Sequence, residues 1–359
     1  MRMRRRVGVV SLVLCIVCTS FFGKDTGSYA AAKETTSSIH ATGSVKKSQL
    51  NYVGYSEAER HAAELMLATW EMLGTKCDLT KFHIRYDDFW ELFYQLKDAN
   101  HRNFFIESAD VDSVWESKKD DFFVTTVKFR YKYSKEIIRE MLHQYDNAIA
   151  TAVEMVCPNW SELEKALYLN DYLAANATYD TSYSKYAAYN ALVEKTAVCQ
   201  GYSEAYQALM DTVGILCNIV GSASLNHAWN MIQIDGKSYY VDVTWNDPLG
   251  NWRGRSGHRF FLKSKQFMCS EEGGHFVLDD WNNGDSYEMP EASSLLYDDC
   301  FWNDMDTCFF PIGDAWYAFD GNTSINKYEY KDGVFEKTDT LANIYDTWYV
   351  VGMPGWYWN

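Results

Sequence analysis

Cys199, His227 and Asp242 are the residues of this sequence whose types and spacing could do chemistry together. Cys199 opens the run Cys199-Gln200-Gly201-Tyr202-Ser203-Glu204-Ala205-Tyr206. Tyr202, Ala205, Tyr206, Leu209, Met210 and Val213 recur at three- and four-residue steps and Gly214 follows, so the spacing predicts a helix that starts at Cys199. A thiol at a helix start meets N–H groups that no helical carbonyl takes up. These and the helix dipole favour the thiolate, which is the nucleophilic form. The N–H of Cys199 itself can point at a developing oxyanion.

The second run is Asn226-His227-Ala228-Trp229-Asn230-Met231-Ile232-Gln233-Ile234, followed by Asp235-Gly236 and then Lys237 to Trp245. Asp-Gly between two apolar-rich runs predicts a hairpin with a two-residue loop. Ile234 then pairs with Lys237, Trp229 lies opposite Asp242 and His227 opposite Thr244. His227, Trp229, Tyr240 and Asp242 share one face, with His227 and Asp242 as diagonal neighbours in hydrogen-bond reach. In this geometry Cys199 attacks an acyl carbon, His227 takes and returns a proton, and Asp242 orients the imidazole. Taken singly, His227 reads equally well as a structural histidine and Asp242 as a strand or turn carboxylate. The three together on a helix and a hairpin point to a nucleophilic site.

Cys199-Gln200-Gly201-Tyr202, His227-Ala228-Trp229-Asn230 and Tyr240-Val241-Asp242-Val243-Thr244-Trp245 resemble the three core motifs of the transglutaminase-like superfamily, in the same order. The resemblance spans about residues 160–248. It implies a papain-like α+β core, with a nucleophilic cysteine on a helix packed against an antiparallel sheet that carries the histidine and aspartate. It places the triad at Cys199, His227 and Asp242. It implies an exported bacterial cysteine enzyme that cleaves or transfers amide acyl groups of proteins or peptides through a thioester: a peptidase, an amidase or a crosslinking enzyme. The alternative is a non-catalytic cell-surface or cell-wall binding protein built on the same scaffold with an aromatic-rich tail.

Four further residues are oxyanion or pocket candidates. Tyr179 precedes the Cys199 helix and could donate to an oxyanion, though a core tyrosine explains it too. Gln200 adjoins the thiol. Trp229 and Trp245 either exclude water from the site or simply pack the core. Asp247-Pro248 reads as a turn. No metal or other cofactor is called for. There is no CxxC pair, and the acidic stretch 279–285 departs from a calcium loop because Trp281 stands at a ligand position.

The elements around these residues fall into successive regions. Arg2, Arg4, Arg5 and Arg6 precede the apolar stretch Val7 to Cys18, and Ala30 to Ala32 follow, so residues 1–32 read as a signal peptide cleaved after Ala30 or Ala32. An uncleaved anchor is the alternative; no later stretch is long and apolar enough to span a membrane. The expected location is secreted or cell-surface. Residues 33–50 read as a disordered linker. Residues 51–157 read as an α+β leading domain, with helices from Ser56, over 87–96 and over 135–156, and a strand over 124–133. The catalytic domain is expected over 158–295. It is entered through a capping box at Ser161 and Glu164, with Leu163, Ala166, Leu167, Leu173 and Ala174 forming the first helix's apolar face, and residues 249–295 loop over it. Residues 296–359 read as a β-rich module separable from the chemistry. Its aromatic rings either form its own core or face outward towards a cell-wall component.

Removing residues 1–32 takes away five of 33 basic and one of 49 acidic residues, leaving 28 against 48 and a net charge of −20. Such a chain repels phosphates, which argues against nucleic acid as a partner. Two of nine cysteines leave with that segment. Seven remain, so internal pairing leaves at least one thiol over. Cys300 and Cys308 are spaced to close a short loop.

Overall fold

The computed structural model describes residues 55–98, 100–248, 255–275, 290–320, 324–331 and 333–343. The expected signal peptide, linker and acidic stretch 279–285, with the last sixteen residues, 344–359, lie outside the described residues.

Helix α1 (Glu57–Glu71) starts at a Ser56–Glu59 capping box. Strand β1 (Lys76–Asp78), helix α2 (Tyr86–Asp98) and strands β2 (Ile106–Glu116) and β3 (Asp121–Tyr131) follow. The strands form an antiparallel sheet in the order β1-β3-β2. Trp70 from α1 meets Phe93 of α2 and Phe129 of β3 edge-on, at 5.9 and 5.4 Å. Strand β2 was not legible from its sequence. Most of its residues stay accessible, and irregularities after Ile106 and Asp112 break the two-residue alternation.

Helix α3 (Lys135–Val153) ends earlier than expected. It buries Ile138 in the core of the leading region, but Tyr145 and Ala152 in the core that follows. Helix α4 (Glu162–Asn176) begins at the expected Ser161–Glu164 box. The pattern suggested one apolar face, yet α4 is buried nearly all round, including the polar Asn170 and Asp171.

Helix α5 (Ala188–Leu192) leads to α6 (Cys199–Val213), which Gly214 closes at φ 82°. Helix α6 packs on an antiparallel sheet of β4 (Cys217–Ser222), β5 (His227–Ile234) and β6 (Lys237–Val241), in the order β4-β5-β6. A helix beginning at Cys199 on an antiparallel sheet is the expected α+β, papain-like arrangement. Two short helices, α7 (Val243–Asn246) and α8 (Lys265–Met268), follow β6.

The stretch after Pro248 does more than loop over the core. It delivers fully buried His258, Lys263 and His275. Lys263 Nζ donates to the carbonyls of Tyr297 and Asp298 and to Asn303, at 2.6, 3.1 and 2.7 Å.

Strands β7 (Phe310–Ile312), β8 (Ala315–Phe319), β9 (Ser324–Lys331) and β10 (Val334–Asn343) form an antiparallel meander, in keeping with a β-rich tail. Separability is corrected. Phe309, Trp316 and Phe335 belong to the same buried cluster as Leu167 of α4 and Leu209 of α6. The Phe309 N–H donates to Asp171 at 2.7 Å and Trp316 Nε1 to Glu164 at 2.9 Å. The described tail rings mostly face this core, although Phe301 is 44% exposed. Cys300 and Cys308 do not close a loop: the seven described cysteines are all thiols. No helix among the described residues is long and apolar enough to cross a membrane.

Candidate functional site

The start of α6 is shaped by what it lacks. Val198 occupies the N-cap and offers no side-chain acceptor, so the first-turn N–H groups keep their pull on a negative charge. Gly201 lets the preceding chain come close. A Cβ there would lie 2.7 Å from Ala197 Cβ and 3.0 Å from the Ala187 carbonyl. Residues 178–180 run beside 195–197, tied by Asp180 N–H to Ala197 at 2.9 Å and Ala197 N–H to Thr178 at 3.1 Å. That pairing sets Tyr179 near the thiol.

The hairpin has the expected register, from Ile234↔Lys237 to Asn230↔Val241. Asp235 and Gly236 both take left-handed backbone, at φ 49° and 74°, as a tight two-residue turn requires. The ladder stops one pair before Trp229–Asp242. Asp242 leaves the strand and caps α7, its Oδ1 accepting the Trp245 N–H at 3.1 Å. Thr244 therefore lies in a helix, and the expected pairing of His227 with Thr244 does not occur. The cap leaves Oδ2 facing the strand, where His227 Nε2 donates to it at 2.6 Å.

Cys199, His227 and Asp242 thus come together. Burial raises the proton affinity of the Cys199 thiol, but a hydrogen bond from His227, its charge and the Ala228 N–H outweigh burial and pull it below the ordinary thiol range. With Nε2 of His227 committed to Asp242, Nδ1 serves the thiol. Burial disfavours the imidazolium of His227, yet Asp242's charge and hydrogen bond, with those of Cys199, push it up to about 10. Its ring also stacks against both Trp229 and Trp245, with centroids 5.6 and 5.2 Å away. The fully buried Asp242 carboxyl is pushed up by desolvation, but His227 and His275 hold it well below the usual carboxylate range. Burial moves Cys77, Cys217, Cys269, Cys300 and Cys308 the other way, to weaker acidity.

Tyr179 is 37% exposed, and burial followed by the charge of Cys199 pushes its phenol up to about 12, so it keeps its O–H donor at neutral pH. Gln200 donates one amide N–H along the helix to Glu204 at 3.0 Å. Of the two indoles against His227, Trp229 is buried and Trp245 is 42% exposed. Asp247 does more than turn the chain: it accepts the Tyr202 hydroxyl at 2.5 Å, and burial pushes its carboxyl up to about 7.

Sequence reasoning missed His275. Its Nε2 lies 3.0 Å from Asp242 Oδ2, the oxygen that His227 uses, and its Nδ1 lies 2.7 Å from the Gly273 carbonyl. His227, Asp242 and His275 are the described residues able to gather three metal-ligating atoms. Their 2.6 and 3.0 Å contacts are those of direct N–H···O bonds, shorter than the roughly 3.3 Å that ligands keep around a tetrahedral ion. They are arranged as two donors on one carboxylate.

Residues 149–243 match the family model of the transglutaminase-like superfamily. No curated protein matches the chain. Among solved structures, one described as a TGase shares 15% identity and a TM-score of 0.28, with 44% of this chain and 48% of that chain covered. A Cytophaga hutchinsonii protein described as a candidate cysteine protease shares 14% identity and a TM-score of 0.22, with 39% and 65% covered. The matched parts thus span about half of the first structure and under two thirds of the second.

Proposed function

We propose that this chain is a cysteine acyl enzyme that opens amide bonds of proteins or peptides through a thioester, with Cys199, His227 and Asp242 as its triad. The observation that carries the reading is the 2.6 Å bond from His227 Nε2 to Asp242, which leaves Nδ1 for a thiol at the uncapped start of α6. Cys199 is pulled towards thiolate by His227 and the Ala228 N–H, while burial pushes five other described cysteines away from it. The thiolate attacks the amide carbon, and the oxyanion develops beside the helix start and Tyr179. His227 hands its Nδ1 proton to the leaving amine. Asp242 holds the ring and offsets its charge during this step. Water or a second amine then takes the acyl group from sulfur.

The site of action in this reading is outside the cell or at its surface. Support for that comes from the basic and apolar runs within residues 1–32.

Labelling with a thiol-directed acyl probe and peptide mapping tests the nucleophile. Label confined to Cys199 is expected; equal labelling of Cys157 would sink the reading. A glutamine-containing peptide offered with a dansylated primary amine then separates the fates of the thioester. Ammonia release without dansyl incorporation marks hydrolysis, and incorporation marks crosslinking.

A further inference from the structure

His275 has no part in the triad, yet its ring is wholly buried against it. The backbone delivers it deliberately. Loop 269–275 folds back on α8, with the His275 N–H donating to the Met268 carbonyl at 2.8 Å. A Cβ on Gly273 would lie 2.0 Å from the Phe267 carbonyl oxygen, so only glycine permits this fold-back.

Both ring nitrogens of His275 face oxygens that bring no proton. The Gly273 carbonyl is an acceptor at any pH, and Asp242 Oδ2 is a carboxylate oxygen that already accepts from His227. A neutral imidazole has one N–H and one lone pair, so it could satisfy one of these contacts and would oppose the other. Both become hydrogen bonds only when both nitrogens carry protons. Among the described residues the charged groups that meet the ring are Asp242 and His227, and His227 in turn bonds to Cys199. The other rings against it, Trp229, Trp245 and Phe260, carry no charge, and the two indoles lie 4.6 and 4.2 Å away, where a cation is welcome.

We propose that His275 is a second imidazolium seated on Asp242, a positioning residue that shares the carboxylate's charge with His227 and so sets how readily His227 releases its proton. The inference rests on the triad reading above. Without the second cation, all of Asp242's charge would fall on His227. That ring would hold its proton more tightly and become a poorer acid towards the leaving amine. The nearby Cys199 thiolate would lose a favourable charge as well. Removing the charge of His275 should therefore move both the acid and the alkaline limbs of Cys199 reactivity to higher pH, by about one to two pH units for a charge this close.

The test follows iodoacetamide alkylation of Cys199 against pH, with peptide mapping, in the intact protein and in His275→Gln. Glutamine keeps an N–H donor and loses the charge. Thermal melting checks that the variant folds. An upward move of both limbs supports the proposal; a folded variant with unmoved limbs overturns it and leaves His275 a packing residue. Ring nitrogen NMR of the wild-type protein, labelled at histidine, asks the same question without a variant. His275 is identified by its contact with the Phe260 ring, since both histidines meet the two indoles. Both nitrogens protonated at neutral pH supports the proposal, and a single neutral tautomer overturns it. Failure of the triad reading is distinct: wild-type Cys199 would then react no faster than Cys157, whatever the state of His275.

Discussion

A buried carboxylate that accepts two imidazole N–H groups and a backbone N–H is worth more than its charge alone. Asp242 fixes one nitrogen of His227, and this assigns the other to Cys199. Asp242→Asn removes that charge and retains the size of the group, so Cys199 labelling should fall by roughly 10²–10⁴-fold with circular dichroism unchanged. A near wild-type rate would remove Asp242 from the mechanism. The elevated proton affinity of His227 also makes a statement about stability. Its affinity rises from 6.5 unfolded to about 10 folded, so its contribution is fully present below about pH 6.5 and lost as pH rises through about 10. The depressed Cys199 thiol contributes in the opposite direction, so Cys199→Ser is the background in which to see the histidine. There Asp242 still raises the proton affinity of His227 while the share from Cys199 is gone, so the melting temperature should fall as pH rises above neutral, and His227→Gln should flatten that slope; equal slopes in both proteins would refute the assignment. Cys199 and His227 were legible in the sequence because they sit on a helix and a hairpin strand with their own periods, and Asp242 because it directly follows the partner strand. His275 was not. It reaches Asp242 through a fold-back 33 residues downstream, and no local pattern encodes that return.

Elements bring these residues together through two tight constructions. The Asp235-Gly236 turn fixes the β5–β6 register, and the sequence announced it, because Asp-Gly is the pair that tolerates two successive left-handed residues. What the alternating pattern could not say is where β6 ends. A carboxylate that can cap a helix competes with one more ladder pair, and at Asp242 the cap wins. The second construction is the close approach of residues 186–187 to the first turn of α6, which depends on Gly201. The obstructing atoms are the Ala187 carbonyl and Ala197 Cβ, backbone or short side chain, which cannot swing aside. Gly201→Ala should therefore cost about 1–3 kcal/mol and displace the turn that carries Cys199. Differential scanning calorimetry should show a lower melting temperature, and alkylation of Cys199 should slow in the folded protein. A melting temperature at or above wild type would mean that the contact is absent, since alanine favours a helix interior over glycine.

At the scale of the whole chain, the question is whether the β meander is cargo or structure. Its sequence suggested a separable module, because short strands and turns say nothing about what their buried faces touch. The described contacts say that it is structure. Trp302, Phe309, Trp316 and Phe335 close the cluster that includes Leu167 and Leu209. Asp171, buried in α4, shares its two oxygens among the Phe309 N–H, Asn170 and His258, and His258 in turn meets the Met305 carbonyl at 3.0 Å. A chain ending at Leu296 would lose the Phe309 donor, the Met305 acceptor, the Glu164 partner on Trp316 and every acceptor described for the buried Lys263 ammonium. Unpaired buried charge and lost aromatic packing each cost several kcal/mol, against a total stability of about 5–15 kcal/mol. The truncated chain should consequently be insoluble, or soluble without near-ultraviolet dichroism, and its Cys199 should react no faster than Cys157. A soluble truncated protein with native-like near-ultraviolet dichroism and fast Cys199 alkylation would show instead that the core from α4 to β6 stands without the meander.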